Sequence, residues 1–146
     1  MNSRTQQRLH LLEIPTARFP LLVPSATVAE VTKMAPLAPL PLSPHWVLGV
    51  VGWRARALAV ISFDALLARA VSAANPRERM IVFYPPPGAR AQEFFAIVST
   101  REPQPHALND SSELISSAAG AVESPYISAT VKFREKILLI PNMDAL

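Results

Sequence analysis

No cysteine occurs among the 146 residues, which excludes a disulfide framework, thiol catalysis and cysteine-ligated zinc. Glycine is nearly as scarce, at four. A loop that cradles phosphate needs several glycines so that backbone N–H groups can close on the anion, and here Gly49 and Gly52 enclose only Val50 and Val51. That pair suits a strand that bends or packs closely. It has the spacing of the Gly-x-x-Gly clamp of some RNA-binding domains, but that clamp joins helices and this pair lies among strand formers. Charged residues make up only 17% of the chain, and the net charge of +3 is spread along it instead of gathered into a basic tract, as expected of a solvated basic face. No apolar run reaches the ~18 uninterrupted residues that a membrane-spanning helix requires. The polar start, Met1 to Arg8, has no signal-peptide pattern, so neither export nor membrane insertion is expected and the cytoplasm is the predicted setting.

Catalytic constellations are also missing from the pattern. His10, His45 and His106 fall in unrelated segments, without the i, i+3 or i, i+4 spacing that places two imidazoles on one metal. There is no Gly-x-Ser-x-Gly elbow. Glu13, Glu30 and Asp64 share no spacing that implies a common cleft, so solvated or ion-paired roles are expected of them. The residues thus offer no motif for hydrolase chemistry or for a metal held by paired histidines, and an uncharacterised enzyme ranks last among the readings.

Half the residues are apolar, and prolines number fifteen. That combination provides core material while making long helices hard to place, so many short strands are expected. Arg8 to Ile14 and Phe19 to Val23 read as the first two strands, the second short or at a sheet edge because of Pro20. In Val28 to Val31, simple alternation would put Val28 and Glu30 on one face and Ala29 and Val31 on the other. Residues 35 to 44 carry proline at 36, 39, 41 and 44 and read as an extended connection outside the sheets. Pro36 to Pro39 has the spacing of an SH3 ligand, but leucines capping the core explain the segment more economically.

Trp46 to Val51 and Ala57 to Ile61 follow as strands, then a short helix from Phe63 to Val71 capped near Ser62. Ser72 to Arg79 is polar, with a turn at Asn75-Pro76, and is the natural midpoint. Met80 to Tyr84 and Phe94 to Val98 read as buried antiparallel strands. Arg101 to Pro125 reads mostly as loop, with a possible helical turn at Glu113 to Ala119. Ile127 to Phe133 alternates strictly, and Lys136 to Ile140 pairs back on it. Without Gly or Asn at Arg134-Glu135, a bulged or longer connection is expected there. Nine or ten strands against two brief helices make the fold mainly β.

The most informative block is Pro44 to Ile61, two apolar strands around a basic turn. Arg54 and Arg56 stand between Trp53 and the Leu58 to Ile61 strand, a composition common in protein-interface hot spots. With Val28-Ala-Glu-Val31 before it, and with Pro125-Tyr-Ile-Ser-Ala-Thr-Val and Lys136 to Leu146 after it, this block resembles the CheW-like family of chemotaxis coupling proteins. The order of elements matches over nearly the whole chain.

The resemblance implies one CheW-like domain over 8–146, a flexible N-terminus over 1–7, and two small SH3-like five-stranded β-barrels meeting near 72–79 around a shared hydrophobic core. It implies no cofactor, and partners in the regulatory domain of a CheA-type histidine kinase and the cytoplasmic tip of a methyl-accepting chemoreceptor. Val28, Glu30, Gly49 and Arg54 fall at partner-contacting or interface-shaping positions, and Trp53 and Arg56 complete the expected binding set. The family form is that of a scaffold, of the divergent kind found in type IV pilus chemosensory systems. This chain departs from the pattern at Gly52, Ala55, Ala59 and Ser62, where the family has Asn, Gly, Pro and Asp. The loss of glycine at 55 matters if that turn needs positive φ. The alternative is a small nucleic-acid-binding barrel, suggested by the high isoelectric point and by Trp53 and Phe83 as stacking platforms.

Overall fold

A computed structural model describes residues 8–68, 75–87, 93–108, 115–116 and 124–145. The expected flexible segment 1–7 lies outside them. The order of elements is β1 (Leu9–Ile14), β2 (Leu21–Pro24), β3 (Val28–Lys33), β4 (Val47–Trp53), β5 (Arg56–Ile61), α1 (Phe63–Ala68), β6 (Arg79–Phe83), β7 (Phe95–Ser99), β8 (Gln104–Leu108), β9 (Ile115–Ser116), β10 (Ile127–Phe133) and β11 (Lys136–Pro141).

These strands form two sheets. One runs β8-β1-β2-β11-β10-β9 and the other β3-β6-β7-β5-β4. This is the mainly β, SH3-like two-unit fold that the resemblance implies, with one sheet of six strands and with the ends of both sheets open. No helix among the described residues is long and apolar enough to cross a membrane.

The chain does not divide at 72–79. β5 before that segment pairs in parallel with β7 after it, and β3 pairs with β6, so residues 28 to 99 build one sheet. The other sheet joins the first two strands to the last four, with Leu21 on β2 opposite Leu139 on β11.

Period-two alternation explains the core. Leu12 and Ile14 on β1, Val23 on β2, Ile81 and Phe83 on β6, Ile97 on β7 and Phe63 on α1 meet in a cluster shared by both sheets. The alternate residues face inward within each unit. Met80 and Val82 join Val51, Trp53, Leu58 and Val60 in the second sheet, and Leu11 joins Leu22, Val131, Phe133 and Leu138 in the first. Strands buried on both faces read as nearly unbroken apolar runs, as β2 and β6 do.

Several local expectations change on contact with tertiary structure. β2 is interior, between β1 and β11. Pro20 precedes it, so no ladder donor is lost, and its carbonyl accepts from Leu139 N–H at 3.0 Å. Gln104–Leu108, expected as loop, is an edge strand on β1, where Pro105 is tolerated. Ile115–Ser116 pairs with β10 instead of forming a helical turn, and the rest of that expected turn lies outside the described residues. The residues of the expected helix beyond Ala68, and Ser72 to Ala74, also lie outside them. Ser62 does cap α1, its Oγ accepting from Ala65 N–H at 3.2 Å.

The β10–β11 connection is a two-residue turn, not a longer one. Phe133 pairs with Lys136, and Arg134 and Glu135 hold φ of +48° and +68°. Backbone twist favours this geometry for a hairpin, and it wins over the side-chain preference for glycine. Positive φ costs a non-glycine residue roughly 1–2 kcal/mol.

The proline-rich connection also departs from expectation. Ala38 exchanges two 2.8 Å backbone hydrogen bonds with Val50, so the segment is pinned to the free edge of β4. Gly49 permits this, because a Cβ there would stand 2.7 Å from Ala38 O. Leu37, Leu40 and Leu42 do not cap the core; all three are exposed. The prolines hold the segment on the surface, where its leucines have no core to reach.

Candidate functional site

The tip of the β4–β5 hairpin gathers most of the residues singled out above. Trp53 pairs with Arg56 across a two-residue turn whose members, Arg54 and Ala55, hold φ of +46° and +59°. Ala55 therefore occupies a position where glycine would be relaxed, and the hairpin keeps the tight turn despite the substitution.

Glu30 reaches this tip because β3 carries a bulge. The register between β3 and β6 shifts between Val28 and Glu30, so one extra residue resets the alternation. Val28 and Val31 pack on the shared core, while Ala29 packs on the core of the second sheet. The expected pairing of faces, Val28 with Glu30, is thereby overturned. Glu30 instead accepts from Trp53 Nε1–H at 3.2 Å and from Arg54 Nη2–H at 2.7 Å.

Cations and rings interleave around that carboxylate. The Arg54 guanidinium lies 4.7 Å from the Trp53 ring centroid, and Arg56 lies 4.8 Å from that of Phe94. Phe94 in turn contacts Trp53 at 5.2 Å and the exposed Tyr84 at 5.6 Å. Beside Arg56, Val50, Ala57, Ala59, Glu93 and Phe94 line a shallow hollow of about 260 Å³. Sequence reasoning missed Phe94, Tyr84 and Glu93, because the β5–β7 and β6–β7 pairings, between strands distant in sequence, bring them to the tip.

Of the six predicted binding residues, the structure therefore assembles Glu30, Trp53, Arg54 and Arg56 at one place. Val28 sits with its side chain on the shared core, and Gly49 lies buried under the proline-rich strap. Trp53 is almost wholly buried and Phe83 fully so, which removes both as base-stacking platforms. The nucleic-acid alternative loses the aromatic faces it relied on.

Among the described residues, the tip carries an exposed cation and no reacting group beside it. Arg54 is 64% exposed, and the ion pair it makes with Glu30 is worth at most about 1 kcal/mol in that setting. Its other N–H groups point a rigid, ring-backed guanidinium at solvent, a form suited to a partner carboxylate.

A second carboxylate behaves differently. Glu13, 2% exposed in β1, accepts from Lys136 Nζ–H and His106 Nε2–H, both at 2.9 Å. Burial alone would push its pKa up. The hydrogen bonds from Lys136 and His106, together with their positive charge, outweigh that and hold the carboxyl below its ordinary value. His45 donates from Nε2 to Ala65 O at 2.9 Å, so these two histidines serve structure. Among the described residues no group of three or more His, Asp or Glu is placed to hold a metal ion.

Comparison with known proteins gives three findings. A sequence model of the CheW-like domain matches residues 11–146. Protein FrzA of Myxococcus xanthus is 32% identical over 80 residues, 55% of this chain and 49% of FrzA, so the match spans about half the length of that relative. The scaffolding protein CheW of Thermoanaerobacter tengcongensis superposes with a TM-score of 0.79 over 98% of this chain and 90% of its own, at 12% identity, a likeness of fold.

Proposed function

The chain belongs to the CheW-like domain family of chemosensory scaffolds, and from that premise we propose that it is a non-enzymatic adaptor coupling chemoreceptors to a CheA-type histidine kinase. The partners assigned are the kinase's regulatory domain and the cytoplasmic tip of a methyl-accepting chemoreceptor. The setting is the cytoplasm, in a chemosensory system of the type IV pilus kind.

One observation carries this reading: the Glu30–Trp53–Arg54 tip, where a strained turn presents an arginine whose local ion pair contributes little to stability. Arginine is enriched at interface hot spots, and here the buried Trp53 ring serves as the support behind the guanidinium, not as the contact itself. An adaptor needs that property and needs no reacting group.

Co-purification of the wild-type protein and Arg54→Glu with kinase regulatory-domain and receptor-tip fragments tests the proposal. Charge reversal is expected to abolish capture of at least one fragment while thermal unfolding stays nearly unchanged. Equal capture of both fragments by the two proteins would remove Arg54 from the site, and capture of neither by the wild type would remove the adaptor role.

A further inference from the structure

The end strands of the two sheets, β8 and β9 in one and β3 and β4 in the other, are templates for pairing with another chain unless something blunts them. β3 is broken by the bulge at Ala29 and bears Glu30 and Lys33, β8 has Pro105, and β9 is short, Ile115–Ser116. β4, Val47-Leu-Gly-Val-Val-Gly-Trp53, has neither proline nor charge. Its bulge near Leu48 leaves Gly49 to Trp53 in unbroken register with β5. An apolar, charge-free run of that length at a sheet edge is the kind that adds a strand from a neighbour.

The proline-rich strap lies across that edge. Ala38 turns both its backbone groups to β4, its N–H donating to Val50 O and its C=O accepting from Val50 N–H, each at 2.8 Å. Val50 is the middle residue of β4, so the bridge divides the edge, with Val47 to Gly49 on one side and Val51 to Trp53 on the other. The strap does not extend the sheet in its turn, because Pro36, Pro39 and Pro41 have no N–H to offer beyond it. A turn at Leu40-Pro41-Leu42-Ser43, closed by Ser43 N–H and Oγ–H on Leu40 O, follows the bridge. Leu40 and Leu42 stay in water there, so what the segment contributes lies in its backbone and not in burial of those side chains.

We propose that the strap is an edge guard: by holding Val50 it keeps β4 from pairing with β4 of a second copy of this chain. The strand held off is identified by the edge itself. Two identical strands related by a two-fold axis run antiparallel, which sets N–H against C=O along both. Between Lys33 and Arg54 the chain has no Asp, Glu, Lys or Arg, so no charged side chain of strand or strap repels the second copy. The guard requires neither kinase nor receptor.

Two variants release the strap by different routes. Ala38→Pro removes the N–H that Val50 O accepts, and Gly49→Ala sets a methyl 2.7 Å from Ala38 O. Hydrogen exchange at the Val50 amide, measured on dilute protein, reports release, and sedimentation equilibrium reports association. Both variants are expected to exchange faster at Val50 and to dimerise at about tenfold lower concentration than the wild type. Because Ala38 is exposed, its variant stays informative even if Gly49→Ala unfolds.

Adding Gly52→Lys to Ala38→Pro should reverse the association while Val50 still exchanges fast. A Cβ at Gly52 meets nothing within 4 Å, so the side chain fits, and a lysine on an edge strand opposes pairing. Association through leucines freed with the strap would survive that change. The proposal is overturned by unchanged Val50 protection in the folded variants, by faster exchange without tighter association, or by association that Gly52→Lys leaves in place. None of these outcomes depends on whether the Arg54 tip captures its fragments.

Discussion

Trp53-Arg54-Ala55-Arg56 and Phe133-Arg134-Glu135-Lys136 form two hairpin tips with the same frame. Each has two non-glycine residues at positive φ, each roots its aromatic in the core of its own sheet, and each lays its arginine over that ring, at 4.7 and 4.6 Å. Each also receives a carboxylate from another strand of the same sheet. They part company at that carboxylate. Glu30 is partly exposed and grips the turn arginine itself, whereas Glu13 is buried and holds Lys136 just past the turn, and among the described residues the contact recorded for the Arg134 guanidinium is its ring. One frame therefore serves two ends, and depth decides which: the buried acid organises the fold, the shallower one organises a surface.

The sharpest way to break this contrast is to remove one cation from each acid. Lys136→Ala leaves Glu13 buried with His106 alone and should destabilise by about 2–3 kcal/mol, less than for a fully buried pair because the ammonium is half exposed. Arg54→Ala at the other tip should cost under ~1 kcal/mol. Denaturant unfolding of both variants measures the difference, and equal losses would dissolve the distinction.

Acid should discriminate next. Glu13 has a lower pKa folded than unfolded, so the unfolded chain binds more protons as pH falls. Its contribution is fully present above the unfolded carboxylate value of ~4.3 and is lost as pH drops through the folded pKa below it. Stability followed from pH 7 downward should fall in that window for the wild type and for Glu30→Gln, and fall less for Glu13→Gln. The smallest effects belong to the turns: Ala55→Gly and Glu135→Gly should each stabilise by about 0.5–1 kcal/mol, seen as small rises in melting temperature.

Alternation made most strands legible in the sequence, and the Arg54 turn stood out by composition. What stayed hidden depends on contacts between distant residues. Gln104–Leu108 buries only Leu108 fully among its side chains, so it carries no periodic signal, and it is a strand because β1 offers an edge. The partners of Glu13 lie on β8 and β11, far along the chain, and no local pattern announces them. The bulge at Ala29 reverses the face on which Glu30 appears, an outcome that simple period-two counting cannot give. The strap leucines read as inward-facing because leucine usually is buried, yet the prolines around them leave no path to the core.

The parallel contact between Leu21 and Leu139 bears on synthesis. As the chain leaves the ribosome, β2 emerges early with Leu21, Leu22 and Val23 and has no neighbour on one side until β11 is made. The sheet of residues 28 to 99 is complete long before that. The nascent protein therefore carries one hydrogen-bonded sheet and a half-covered apolar strand together, and the core the two sheets share closes only when the last strand arrives.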